Sequence, residues 1–418
     1  VQDWDAVICT SRAVKAMIGR LLDEQQAYLA ERLGARRCPR PQLPVIPLGV
    51  DCAKFAPDAG ARARQRASLG IGEDEIVVLY LGRLSFHAKA HPFAMYVALE
   101  RAARETGRRV HLIQAGWFAN DFIEQAFRDG AKSFCPGVRV HFLDGRRAET
   151  RFAVWQAADI FTSLSDNIQE SFGLTPIEAM AAGLPSVVSD WDGYRDTIEH
   201  EAHGYRIATL APPAGQGEDL ADAHAGEIDT YDRYCGYASQ FVAVDVAAAA
   251  AAYGALIRDA DLRRRLGAAA RQKAAAEFDW RHVIARYQGL WAELAERRGT
   301  AAESAPGTGG ASWPARPDPF AAFASYPSDT IGPAHRLAAG PFPADLAALT
   351  EHPLFAFARH RLRLDLCALI LKTVQRGETN LAAIAEAVGE ADRRHLPRQA
   401  VWLAKLGAIS VRKGGEER

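Results

Sequence analysis

The chain has 418 residues, 49% of them hydrophobic and 24% charged, a balance that excludes a disordered chain and at this length predicts more than one folding unit. Lys plus Arg (50) nearly cancels Asp plus Glu (51), leaving a net charge of -1, so no global field recruits nucleic acid or an anionic membrane. The six cysteines are scattered, with no C-x-x-C pair and no metal-ligand spacing, and no apolar run approaches the roughly 18 residues of a membrane-spanning helix. A cytoplasmic setting is expected, with peripheral attachment at the inner membrane compatible with it. The opening Val1-Gln2-Asp3 reads as leading into a strand that continues something earlier, which predicts a fragment.

In chain order, short β-branched runs alternate with longer helical stretches up to about residue 210, the pattern of a parallel sheet covered by helices on both faces. The predicted strands are Ala6 to Cys9, Val45 to Leu48, Ile76 to Leu81, Val110 to Gln114, Val138 to Leu143, Ile160 to Leu164, Ser186 to Ser189 and Tyr205 to Ile207. Near-continuous apolar runs such as Ile76-Val77-Val78-Leu79-Tyr80-Leu81 suit strands buried on both sides. From Val246 to about Arg298 the spacing is helical, over the alanine run Ala247 to Ala252 and again from Phe278 to Leu294. A Pro, Gly, Ala and Ser-rich linker is expected over 299–341. A small, mainly helical, winged-helix-like module is expected over 342–418, with helices near Phe355 to Gln375, Leu381 to Val388 and Arg393 to Leu406.

Chemistry concentrates in the stretch from Gln169 to Pro185, which joins a strand to a helix. Thr175, Pro176 and Glu178 stand where an N-cap, a first-turn proline and a capping-box glutamate belong, so the helix is expected to start at Thr175. The turn before it, Ser171-Phe172-Gly173-Leu174, would present free backbone N–H groups and the positive helix end to an anion such as a diphosphate, with Gly173 allowing close approach. Glu170 lies in that turn at the C-terminal end of a parallel strand, where open α/β sheets bind ligands. A second cluster, Gly82-Arg83-Leu84 with Lys89, ends the Ile76 to Leu81 strand. Gly70-Ile71-Gly72 lies before its strand and lacks a third glycine, so it is not a dinucleotide fingerprint.

Glu170 and Glu178, eight positions apart and enclosing Ser171-Phe172-Gly173, followed by Ala179-Met180-Ala181-Ala182-Gly183-Leu184-Pro185, resemble the paired-glutamate motif of the retaining family 4 glycosyltransferases. The resemblance covers roughly the first 298 residues and implies the nucleotide-sugar-binding, C-terminal half of a GT-B fold: a Rossmann-like parallel sheet over 34–298, preceded over 1–33 by a remnant of the acceptor domain. It implies that Glu170 contacts donor-sugar hydroxyls and Glu178 the ribose, and that Arg83 and Lys89, with Gly82, grip the donor diphosphate. Catalytic roles fall on Glu170, Arg83 and Lys89; donor contacts on Glu178, Ser171, Phe172, Gly173, Leu174 and Gly82. Gly116 resembles the glycine that leaves room for the donor, with a packing role equally open, and Arg146 in the Asp144-Gly145-Arg146 turn is placed to touch the base, with a plain turn as the alternative. Val45 to Asp51 with Phe55 resembles the hinge into the donor domain, although Leu48 stands where asparagine is common.

The implied reaction transfers a sugar from a nucleotide-sugar substrate to an unidentified acceptor, with retained configuration and with neither metal nor cofactor. His87 stands between Arg83 and Lys89, open to a phosphate or to solvent. Two alternatives remain at this point: another enzyme of the same fold, such as a nucleotide-sugar epimerase, and a non-catalytic sugar-nucleotide sensor. For the C-terminal module, Arg393, Arg394 and Arg398 on a third helix invite a nucleic-acid reading, but Glu386, Glu390 and Asp392 lie beside them, so protein interaction or dimerisation is expected instead.

Overall fold

A computed structural model describes residues 1–2, 4–36, 38–301, 318–341, 345–356 and 359–413. The chain divides into two compact units, Val1–Ser304 and Ala305–Arg418.

The first unit is built on a six-stranded parallel sheet of β1 (Ile76–Leu81), β2 (Val110–Gly116), β3 (Arg139–Asp144), β4 (Ile160–Ser163), β5 (Ser186–Ser189) and β6 (Gly204–Ile207), in the order β3-β2-β1-β4-β5-β6. Every residue of β1 is buried. Its side chains alternate between two cores, as a period of two requires. Ile76, Val78 and Tyr80 join the core built with helices α3 (Pro92–Thr106), α4 (Asp121–Phe134) and α10 (Val246–Arg258). Val77, Leu79 and Leu81 join the opposite core, built with α5 (Ala148–Ala157), α6 (Leu174–Ala181) and α11 (Ala260–Lys273). The expected α/β class is therefore the observed one. The alanine run of α10 packs directly: Ala249, Ala250 and Ala252 lie in the first core.

Around this frame run α1 (Arg12–Leu33), α2 (Ala59–Ser68), α7 (Tyr194–Thr197), α8 (Glu218–Ala225), α9 (Tyr231–Gln240) and α12 (Trp280–Thr300). The expected strands at Ala6 to Cys9 and Val45 to Leu48 reduce to two parallel bridges, Ala6 with Gln42 and Cys9 with Val45. The helix expected from Phe278 starts later. Phe278 ends a π-helical turn, and Asp279 caps α12 by accepting from the Arg281 N–H. Residues 1–33 group with this unit through those bridges and through bonds from Ser11 and Arg12 to Asp192 and Asp196.

In the second unit, helices Leu364–Val374, Leu381–Glu386 and Leu396–Lys405 pack a core of Leu366, Ile370, Leu381, Ile384, Leu396 and Leu403. A three-stranded antiparallel sheet lies with them, Arg336–Ala339 in the middle between Thr379–Asn380 and Ile409–Arg412. Part of the stretch expected as linker is thus a strand of the module, because Leu337 is fully buried in its core; residues 302–317 lie outside the described residues. The helix expected over Phe355 to Gln375 is divided into Pro353–Ala356, the short turn Arg359–Arg361 and Leu364–Val374, and the one expected from Arg393 is broken into Glu390–Arg393 and Leu396–Lys405. Arg393 and Arg398 consequently sit on different helices, with Arg394 between them.

Candidate functional site

The strand order reverses direction between β1 and β4: the chain leaves β1 toward β2 on one side and β4 toward β5 on the other. The loops after these two neighbours therefore diverge and leave a crevice at the C-terminal edge of the sheet, where doubly wound folds hold ligands. The predicted clusters occupy these two loops, since Gly82, Arg83 and Lys89 follow β1 and Glu170 to Leu174 follow β4.

Side chains of one loop bond the backbone of the other. Asn167 Nδ2 donates to the His87 carbonyl at 2.8 Å, Ser165 Oγ to the Lys89 carbonyl at 3.4 Å, and Asp166 Oδ1 accepts from the His91 N–H at 3.1 Å. Within the first loop the Arg83 guanidinium donates to the Ala88 carbonyl at 3.3 Å, curling the segment so that Lys89 turns inward. The result is that Lys89 Nζ and Glu170 Oε2 stand 3.5 Å apart, the lysine one third exposed and the glutamate largely covered. Tyr194 OH donates to the same Glu170 oxygen at 3.4 Å. A cation, a carboxylate and a phenol thus converge at one point of the crevice.

Behind this point α6 begins, and its start differs from expectation. Leu174 is the first helical residue and Gly173 the N-cap, at φ +79°, with no side chain bonding the first turn. Thr175 lies inside the helix, so Thr175 and Glu178 do not form a capping box. Gly173 has the positive φ that turns the chain into α6, and a Cβ there would come within 2.2 Å of the Tyr194 ring. The first-turn N–H groups, unclaimed by a side-chain cap, carry the positive end of the helix into the loop. Glu178 is buried on the second turn; Phe172 is buried as well, whereas Ser171 and Leu174 are exposed.

Other predicted residues fall elsewhere. A Cβ on Gly116 would lie 1.9 Å from the Gly82 carbonyl oxygen, so only a glycine lets the ends of β1 and β2 approach this closely. Arg146 follows β3, with β2 and β1 between it and β4, and its guanidinium is paired with Asp144 at 2.9 Å. His87 is spent in a 2.9 Å contact between Nε2 and Asp232 of α9. Four residues of the site were missed in the sequence: Ser163, Asp166, Asn167 and Tyr194. Asn167 and Asp166 lie between a predicted strand and a predicted turn, a position that could have flagged them, while the partners of Tyr194 are visible only in three dimensions.

The electrostatics follow from burial. Asp166 is 5% exposed, and desolvation pushes its carboxyl up to about 7 against the opposing pull of the His91 N–H. The Tyr80 and Tyr194 phenols are pushed above their usual range by burial first and by the Glu170 charge second, so both remain protonated donors. Tyr80 spends its proton on the Arg83 carbonyl at 3.3 Å, steadying the loop.

Comparison with known proteins agrees with the position of these loops. Residues 61–223 match the family model Glycosyl transferases group 1. This group 1 segment contains both loops and all six strands. The chain is 29% identical over 262 residues to the D-inositol 3-phosphate glycosyltransferase of Nocardia farcinica, covering 62% of this chain and 49% of that protein. It is 28% identical over 301 residues to the enzyme of the same name from Geodermatophilus obscurus, covering 70% and 56%. The chain thus spans about half the length of the curated relatives it matches. Among solved structures it resembles sucrose-phosphate synthase from Thermosynechococcus elongatus, with 24% identity, 70% of this chain and 58% of that one covered, and a TM-score of 0.45. Among the described residues no helix is long and apolar enough to cross a membrane.

Proposed function

We propose that residues 34–298 form the donor-binding half of a retaining glycosyltransferase that takes a nucleotide sugar, the acceptor being selected by features outside this crevice. The observation that carries the reading is the convergence of Lys89 and Glu170, 3.5 Å apart, beside the start of α6. In this reading the α6 N–H groups, Lys89 and Arg83 hold the donor diphosphate. These positive groups stabilise the charge that builds on it as the glycosidic bond breaks, an effect strengthened where water is excluded. Lys89 and Glu170 are paired with each other. An arriving diphosphate draws the ammonium away and frees Glu170 Oε2 to accept a sugar hydroxyl. Glu178 accepts from the ribose. Attack from the face the diphosphate leaves would then retain configuration, the departing phosphate oxygen taking the acceptor proton.

The second unit reads as a winged-helix-like module for protein contact or dimerisation. Two of its arginines are engaged internally, Arg363 paired with Asp392 at 2.8 Å and Arg393 donating to the Ala385 carbonyl at 2.9 Å, and Glu386, Glu390 and Asp392 lie beside Arg393, which weakens a nucleic-acid face.

The test is calorimetric titration of the full chain with UDP, GDP and ADP, then with UDP-glucose, GDP-mannose and ADP-glucose. One base is expected to bind selectively. Glu178→Ala is expected to lower that affinity about 10-fold to 100-fold, the scale of a hydrogen bond to a charged group. A chain that binds none of the six ligands would sink the donor assignment.

A further inference from the structure

Besides Lys89, a buried residue holds Glu170. The Tyr194 ring is 1% exposed, packed against Gly173 so closely that a methyl there would strike it. Its hydroxyl sits 2.8 Å from Ser163 Oγ and 3.4 Å from Glu170 Oε2. The direction of these bonds follows from chemistry. An ionised carboxylate only accepts, so the phenol proton goes to Glu170, and the Ser163 hydroxyl supplies the proton that the phenol oxygen receives.

The turn carrying Tyr194 is pinned on several sides. Trp191 Nε1 donates to the Asn167 carbonyl at 3.0 Å, tying the turn to the loop before Glu170. Gly193 lies against the Phe172 backbone, where a Cβ would come within 2.5 Å of the Phe172 Cα. Away from these contacts, Ser11 Oγ donates to Asp192 Oδ1 at 2.9 Å, and the Arg12 side chain reaches Asp196 at 2.7 Å. Asp192 adopts φ +41°, a conformation uncommon outside glycine that Asp tolerates better than most residues.

We infer that Tyr194 is a positioning residue: its phenol, fixed by Ser163, aims the Glu170 carboxylate at the sugar portion of a nucleotide-sugar donor. The inference rests on the donor reading above and extends it. Lys89 and Tyr194 share Glu170 Oε2. Once Lys89 turns to the diphosphate, Tyr194 is what keeps the carboxylate from following the ammonium. Loss of the phenol hydroxyl therefore touches sugar recognition and leaves diphosphate recognition alone.

The experiment is titration of the full chain, as wild type, Tyr194→Phe and Ser163→Ala, with UDP, GDP, ADP, UDP-glucose, GDP-mannose and ADP-glucose, alongside thermal melts. Tyr194→Phe keeps the ring against Gly173 and removes only the hydroxyl. Its affinity for the preferred nucleoside diphosphate is expected to stay within about twofold of wild type, while affinity for the matching sugar nucleotide falls about tenfold. Ser163→Ala is expected to shift the same ratio in the same direction by a smaller factor, and it carries the test if Tyr194→Phe fails to fold. Equal losses for the diphosphate and the sugar nucleotide, or no loss for either, would overturn the positioning role while leaving the donor site intact. A wild type that binds no nucleotide overturns the donor reading and this inference with it.

Discussion

At the N-terminal edge of the sheet, Asp159 accepts from the Arg62 guanidinium at 2.5 Å, from Arg66 at 3.1 Å and from the Val77 N–H at 2.8 Å. At the C-terminal edge, Glu170 meets Lys89 and Tyr194 at 3.5 and 3.4 Å. The first carboxylate has its acceptor capacity taken up by short bonds, and Arg66, 3% exposed, also donates to the carbonyls of Ala157, Gly72 and Glu75. The second carboxylate is held by longer bonds to a lysine that is partly in solvent. A similar division separates Glu75, which bonds the Gly72 N–H, Arg109 and His111, from Lys89, whose side chain is one third exposed. Charges satisfied inside the protein hold it together; charges left partly open at a strand-order reversal are available to a ligand.

The largest effect that would break this comparison is on stability. Asp159→Ala leaves Arg66 and the Val77 N–H buried without their shared acceptor, and is expected to cost about 3–5 kcal/mol. Urea denaturation measures it, and a loss under about 1 kcal/mol would show that the network at the N-terminal edge is not the structural anchor argued here. Next is Asp166, which lies at the site edge and yet is buried like the other network. Its folded carboxyl stands near 7 against an ordinary 3.8, so between those pH values the folded state binds more protons than the unfolded. Stability attributable to this group is therefore greatest below pH 4 and declines as pH rises through 7, by about 4 kcal/mol for a shift of this size. Asp166→Asn retains an acceptor for the His91 N–H and removes the titration. The difference in unfolding free energy between variant and wild type is expected to grow in the variant's favour from pH 4 to pH 8, and a flat difference would place the carboxyl in a more polar setting than its burial indicates.

How far the sequence foretold this arrangement depends on the range of the interaction concerned. β1 and β5 fall at the predicted bounds, and the other sheet strands shift by only a residue or two, because runs such as Ile76 to Leu81 record burial on both faces locally. The loops that carry Glu170 and Gly82-Arg83 could be placed for the same reason, since each follows a readable strand. The start of α6 was misplaced because Thr175 and Glu178 have capping-box spacing, while the residue that turns the chain is Gly173, whose positive φ no side-chain pattern reports. Tyr194 and Ser163 were invisible as site residues, since their significance lies in the bonds from Ser163 to Tyr194 and from Tyr194 to Glu170, which require the folded sheet. The strand Arg336–Ala339 was hidden in a stretch whose composition reads as linker, because only pairing with Thr379–Asn380 and Ile409–Arg412, both distant in sequence, gives it a sheet to join.

Arg83 sharpens the comparison most directly, because it belongs to both kinds of charge. One guanidinium nitrogen is engaged with the Ala88 carbonyl at 3.3 Å, a bond inside its own loop, while the group as a whole is half-buried at the crevice. If the loop bond were its main work, Arg83→Ala would behave as Asp159→Ala does on a smaller scale, losing stability and leaving nucleotide affinity intact. If its charge serves the donor diphosphate, the same change is expected to leave the unfolding free energy within about 0.5 kcal/mol of wild type. Turnover, or donor affinity where no acceptor is in hand, should then fall by roughly 10²- to 10³-fold, the scale of removing one preorganised donor from a developing anion. Arg83→Lys separates the two further, since a lysine keeps the positive charge and gives up the planar fork. Partial recovery of nucleoside diphosphate affinity in Arg83→Lys, at unchanged stability, would mean that charge rather than loop geometry is what the crevice requires of this position.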